Sequence, residues 1–184
     1  MQITSGHEEG APSLQFRCPR AEAVFAPEGV RLANETPAPM VWDEHGGTYV
    51  LRVEGLKVME VPGPGAESGI HFLMALPPPG TLIAAVESFA GQHRLALAPG
   101  SPAPELALRP ILAACHVPGK NLFVYCEEAQ LQGRAGAGPT LEFTVTGPFK
   151  ARRVPCREPD VVIHLTGADM SRLLSYLLSL ARGR

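Results

Sequence analysis

Charge and aromatic rings are both scarce in this sequence, and each scarcity removes a class of protein. Only 18% of the 184 residues are Asp, Glu, Lys or Arg, and they nearly balance, at a formal net charge of −2. A dedicated nucleic-acid binder is usually markedly basic, so the overall balance disfavours that class. Aromatics make up 6%, with a single Trp, so any core has to be built mainly from aliphatic side chains. No apolar run reaches the roughly 20 residues that a membrane-spanning helix needs. The first thirty residues lack the basic, apolar and cleavage regions of a secretory signal. The four cysteines, Cys18, Cys115, Cys126 and Cys156, stand far apart with no short repeated spacing. That pattern suits reduced, buried thiols better than a disulfide scaffold, so the expected location is cytoplasmic, with no membrane contact.

The familiar chemical motifs are missing too. Gly63-Pro-Gly65-Ala-Glu-Ser-Gly69 has the wrong final spacing for a dinucleotide fingerprint and precedes a strand pattern instead of opening a helix. Gly133-Arg-Ala-Gly136-Ala-Gly138 lacks the Lys-Ser/Thr pair of a P-loop and is read as a Gly-rich loop between two strands. There is no Gly-x-Ser-x-Gly elbow and no His-Glu-x-x-His pair. Asn34-Glu35-Thr36 matches a glycosylation acceptor by coincidence, with Pro37 following and no route to secretion.

What is present is enough for one ordinary globular core. The length suits one domain over residues 1–184, and 45% hydrophobic content exceeds what a disordered chain carries. Nineteen Gly and nineteen Pro, spread along the chain, imply many turns. Strand-like runs fill the first half, at 13–18, 22–26, 29–32, 39–42, 48–53 and 56–61, with a hairpin expected at Glu54-Gly55. A strand is expected over 70–76, followed by a short helix capped by Thr81 and closed by Gly91. Further strands are expected at 94–98, 121–126, 140–146 and 150–154. Ser101-Pro102 reads as a helix start, limited by Pro110. The whole describes an α+β fold, a mostly antiparallel sheet carrying two or three helices.

The C-terminal stretch is the best specified. Asp160-Val-Val-Ile-His-Leu165 is β-branched and reads as a buried strand. Thr166 then offers a capping hydroxyl, with Asp169 three residues on and a helical period from Gly167 to Arg182. At about 100° per residue, Met170, Leu173, Leu174, Tyr176, Leu177, Leu178, Leu180 and Ala181 fill an apolar arc of roughly 200°. One surface helix needs about half of that, so the helix is either deeply packed or shares its flanks with a second chain. The flanking residues Tyr176, Leu178 and Leu180 are therefore the candidate protein interface.

Lys150, Arg152, Arg153 and Arg157 form the one basic cluster, with Lys150 and Arg152 expected on one face of a strand and Arg153 on the other. Residues 1–100 carry 6 basic and 11 acidic side chains and residues 101–184 carry 10 and 7, a polarity that could steer an anionic partner. Trp42-Asp43-Glu44-His45-Gly46-Gly47 is polar enough for proton transfer but reads as an exposed hairpin turn. Cys115-His116 could supply a nucleophile or, with Cys126 or Cys156, metal ligands, although the spacings match no standard zinc site, and either residue could ring an apolar pocket with His45; His71 and His164 sit inside apolar strands as core or edge residues. No spacing calls for a metal or cofactor. The leading expectation is a non-catalytic interaction or assembly module that works through the C-terminal helix, and perhaps a strand edge, on another protein or a second copy. The alternatives are a nucleic-acid accessory protein using the 150–157 cluster, and a small enzyme or ligand-binding domain whose site is gathered from distant loops.

Overall fold

A computed structural model describes residues 25–26, 29–34, 36–37, 39–53, 56–58, 69–99, 104–117, 122–153 and 160–183. These form thirteen strands and two helices: β1 Phe25–Ala26, β2 Gly29–Ala33, β3 Met40–His45, β4 Thr48–Val53, β5 Lys57–Val58, β6 Gly69–Ala75, α1 Pro79–His93, β7 Glu105–Leu108, β8 Leu112–Val117, β9 Leu122–Cys126, β10 Gln130–Ala135, β11 Thr140–Thr146, β12 Lys150–Arg153, β13 Asp160–Leu165 and α2 Gly167–Arg182. The fold is α+β, with two mostly antiparallel sheets where the sequence indicates one.

The first sheet runs β1-β2-β6-β11-β10-β7, with β5 added to β2; the second runs β12-β9-β8-β13-β4-β3. Among the described strands, only β2 and β6 pair in parallel. Between them the chain crosses to the second sheet for β3 and β4, so β6 returns in the same direction as β2. One core joins the layers. Leu32, Ile70, Phe72, Leu131 and Phe143 from the first sheet meet Leu51, Val53, Cys115, Val161 and Ile163 from the second. The Phe72 and Phe143 rings are directly opposed on β6 and β11 and stack at 4.9 Å. A smaller cluster, Val50, Ala114, Phe123 and Val162, occupies the other face of the second sheet. Central strand β13 is therefore buried on both faces along its whole length.

The last two elements have the bounds their residue pattern indicates. Thr166 Oγ1 accepts the Asp169 N–H at 3.2 Å. The box is not reciprocal, because the Asp169 carboxylate accepts the Arg109 backbone N–H at 3.3 Å and pairs with Arg172 at 3.3 Å. Gly183 ends α2 at φ −83°, outside the left-handed region in which a glycine often closes a helix.

Other expectations are corrected. The hairpin at Glu54-Gly55 does not form as a pair of β4 and β5, because β5 pairs with β2 in the opposite sheet. The hairpin belongs to β3 and β4, turning at Gly46-Gly47. Helix α1 starts at Pro79, two residues before Thr81, and runs through Gly91 to close on Arg94 at φ 54°. The helix expected from Ser101 is replaced over the described residues by β7 and β8. Gly133 lies inside β10, where an added Cβ would come within 2.9 Å of the Phe143 ring. The strand expected at 94–98 does not form: Arg94 is the left-handed turn that closes α1, and residues 95–98 join no ladder. The strand expected at 13–18 lies outside the described residues.

Candidate functional site

Strand β7 is an edge strand. Its burial alternates, with Leu106 and Leu108 turned into the core and Glu105 and Ala107 turned out. One long side pairs with β10, in the register Leu108–Leu131, Ala107–Gln132, Leu106–Gly133 and Glu105–Arg134. The other side has no strand partner among the described residues. Residues two apart in an antiparallel strand present their backbone groups to the same side. Since the Arg109 N–H points to Asp169 of α2 and not to β10, Ala107 and Glu105 turn their N–H and C=O away from β10 as well.

A groove of about 470 Å³ lies along that side. Its walls are Glu105–Ala107 and segment 96–99, and Ser171, Ser175, Tyr176 and Ser179 of α2 contribute to its lining. The serines recur every four residues and so line one face of the helix. The Ser175 Oγ accepts the Ala98 N–H at 2.9 Å and donates to the Ser171 carbonyl at 2.7 Å, tying segment 96–99 to the helix. A second hollow of about 410 Å³ continues from the first through the shared residues Ala107 and Arg172, and ends at Arg109, Gln130, Gln132 and Asp169. Together they run the length of β7.

The groove joins an apolar wall to two charged ends. Tyr176 is only 5% exposed, and its hydroxyl, which lies toward the backbone of Ala135, has no hydrogen-bond partner among the described residues. Burial pushes its phenol above the usual value, helped by the Glu105 carboxylate and opposed by the Ala135 amide. Glu105 and Arg109 are exposed and make no ion pair among the described residues. Arg134, opposite Glu105 on β10, is engaged by Glu142 on β11.

Of the interface residues read from the sequence, Tyr176 and Leu178 are 5% and 3% exposed within the single chain, and Leu180 is partly buried against the core. The wide apolar arc is therefore largely consumed by α1, β4, β7 and β13. What α2 offers to the groove is its serine face and one side of Tyr176.

The basic cluster is only partly described. Lys150 and Arg152 pair with Tyr125 and Phe123 across β12 and β9, and in the backbone register Arg153 pairs with Leu122. Arg157 lies outside the described residues. The Arg152 guanidinium lies 5.0 Å from the Phe123 ring centre and 5.9 Å from that of Tyr125, and Lys150 lies 6.0 Å from Tyr125. Lys150 also reaches Glu127 at 3.4 Å. Two aromatic rings thus adjoin the cluster, closer than the sequence indicates, yet Phe123 is buried and the cations already cover both.

His45, Cys115 and His116 do not come together. His45 sits at the hairpin beside Asp43 at 3.3 Å. Cys115 faces the core and His116 the opposite face of β8, and both are fully buried. Neither His116 ring nitrogen has a hydrogen-bond partner among the described residues, and burial pushes its imidazole down to about 4. His71 shares a hydrogen bond with Thr144 at 3.1 Å, and His164 lies 3.5 Å from Thr48. Asn34 is buried, and its side-chain amide donates to the Thr36 carbonyl while its oxygen accepts the Ala75 N–H at 2.8 Å. Among the described residues no group of three or more His, Cys, Asp or Glu is placed to hold a metal ion. No described helix is long and apolar enough to cross a membrane.

Compared with protein-family models, curated proteins and solved structures, the chain matches none. The function has to be argued from the geometry.

Proposed function

We propose that this protein is a non-catalytic interaction module that receives an extended segment of another protein along the open edge of β7. The observation that carries the reading is the groove beside that edge. An unpaired strand edge is a ready template for another chain, and folds commonly cover or blunt it. Here α2 and segment 96–99 flank the edge but leave a hollow of about 470 Å³ next to it. In strand addition the backbone supplies affinity, and alternate side chains supply specificity through the walls of the groove. The flat wall of small serines on α2 suits close approach of another backbone.

Selection of a displayed library of extended peptides on the wild-type chain tests the reading. Ala107→Pro deletes an outward N–H that no partner in the sheet uses, a position where proline is tolerated. Ser171→Trp fills the groove from the helix side. Peptides enriched on wild type should bind each variant at least tenfold more weakly, with thermal melts confirming that both variants fold. Enrichment of no peptide, or undiminished binding to both folded variants, would sink the proposal.

Contact of β12 with nucleic acid is the second reading. It is favoured by Lys150 and Arg152 lying on one strand face beside Tyr125. It requires binding that weakens steeply with salt and falls in Arg152→Ala.

A further inference from the structure

The open stretch of β7 is short. The Asp169 carboxylate holds the Arg109 N–H at 3.3 Å, so α2 closes that end of the edge and leaves only Glu105 to Ala107 for a guest. A chain laid there cannot run on past Ala107 as a strand; it has to bend away or end. The second hollow, of about 410 Å³, opens at that point, and its lining is polar. Arg109, Arg172, Gln130 and Gln132 supply donors, and the one acid, Asp169, is already engaged by the Arg109 N–H and by Arg172 at 3.3 Å. Two guanidinium groups against one carboxylate leave an excess of positive charge, and the exposed Arg109 has no ion-pair partner among the described residues. We infer that the guest, taken on the strand-addition reading above, is the free C-terminus of another protein, with its terminal carboxylate in the second hollow.

The other kinds of segment fit less well. An N-terminal ammonium would add to the positive excess, and an internal segment would bring no charge to the donors and would have to bend off the edge. A carboxylate only accepts hydrogen bonds, and guanidinium groups give it the strongest ones. With its carboxyl end toward Arg109, the guest runs parallel to β7. The Ala107 N–H then donates to a guest carbonyl, and the Ala107 carbonyl accepts a guest N–H. Parallel pairing is slightly weaker per residue than antiparallel, a difference that the terminal carboxylate offsets. The last guest residue lies beside Ala107 and the third-last beside Glu105, on the same face, because strand positions alternate. Glu105 is exposed and makes no ion pair among the described residues, so it favours a basic side chain at the third-last place.

Two displayed libraries of random nine-residue peptides test this, one ending in a free carboxylate and one fused to its carrier at both ends. Both are selected on the full chain. The best free-ended peptide is then made as the acid and as the C-terminal amide. Each is bound to wild type, to Arg109→Gln and to Arg109→Gln/Arg172→Gln, with thermal melts confirming that the variants fold. The free-ended library should enrich peptides with a basic third-last residue. Wild type should bind the acid about tenfold more tightly than the amide, as for the loss of a charged hydrogen bond. Arg109→Gln, which breaks no ion pair among the described residues, should lower that preference about threefold, as for one exposed charge pair. The double variant should bind acid and amide alike. Equal binding of the two by wild type, a preference unchanged in the variants, or equally tight binders from the doubly fused library would overturn the C-terminal inference while leaving strand addition intact. A free-ended consensus without the basic residue would overturn the register on Glu105. Enrichment from neither library would instead remove the underlying reading.

Discussion

His116 shows how much a single buried residue can govern acid behaviour. It lies on the outward face of β8 opposite Asp160 of β13, against the edge of the Phe123 ring at 5.5 Å. Folding removes it from water, so its imidazole titrates near 4 in the folded chain and near 6.5 in the unfolded one. The unfolded chain takes up the proton first as the pH falls. The stability that comes from keeping the ring neutral is complete above pH 6.5 and is lost as the pH falls toward 4, on the order of 3 kcal/mol in all. With neither ring nitrogen hydrogen-bonded among the described residues, an apolar replacement gives up no polar contact with them. His116→Leu should therefore match or exceed wild type in urea at pH 7.5 and lose clearly less stability than wild type between pH 7 and 4.5. Parallel curves for the two proteins would show that the acid sensitivity lies elsewhere. The sequence marks His116 as a chemical candidate beside Cys115, but adjacent strand residues face opposite ways, and that alternation separates the pair.

Among the elements, β13 and α2 were legible in the residues because their signals are local. The β-branched run 160–165, the Thr166 cap and the apolar period that follows all lie within one short stretch, and the observed bounds agree with them. Loss of the cap should show directly: Thr166→Ala is expected to cost about 1 kcal/mol in equilibrium unfolding. A change below a few tenths would mean that tertiary packing alone holds the start of α2. Strand β7 was misread for the opposite reason. Pro102 and Pro110 punctuate it as they would a short helix, and only the Glu-Leu-Ala-Leu-Arg alternation of residues 105–109 marks it as a strand with one buried face. Five residues of alternation are a weak signal until β10 supplies the ladder. The hairpin at Glu54-Gly55 failed likewise, since the partner of β5 is β2, in the other sheet. Such long-range pairing carries no local mark.

For the whole molecule, the α+β class and the antiparallel preference could be read from the chain, whereas the division into two sheets over one core could not. The sparse aromatics behave as the composition implies, with Leu, Val and Ile supplying most of the buried volume and Phe72 and Phe143 stacking within the core. The wide apolar arc of α2 was the feature most suggestive of a partner, and most of it is covered inside the chain. Among the described residues, the neighbouring edge of β7 has no strand partner. The measurement that tests this most directly is backbone amide exchange at Ala107, compared between the unliganded chain and its complex with a library-selected peptide. Strand addition predicts that the Ala107 N–H, turned away from β10, exchanges readily alone and becomes at least tenfold protected in the complex. An Ala107 amide whose exchange is unchanged by a saturating peptide would contradict the account.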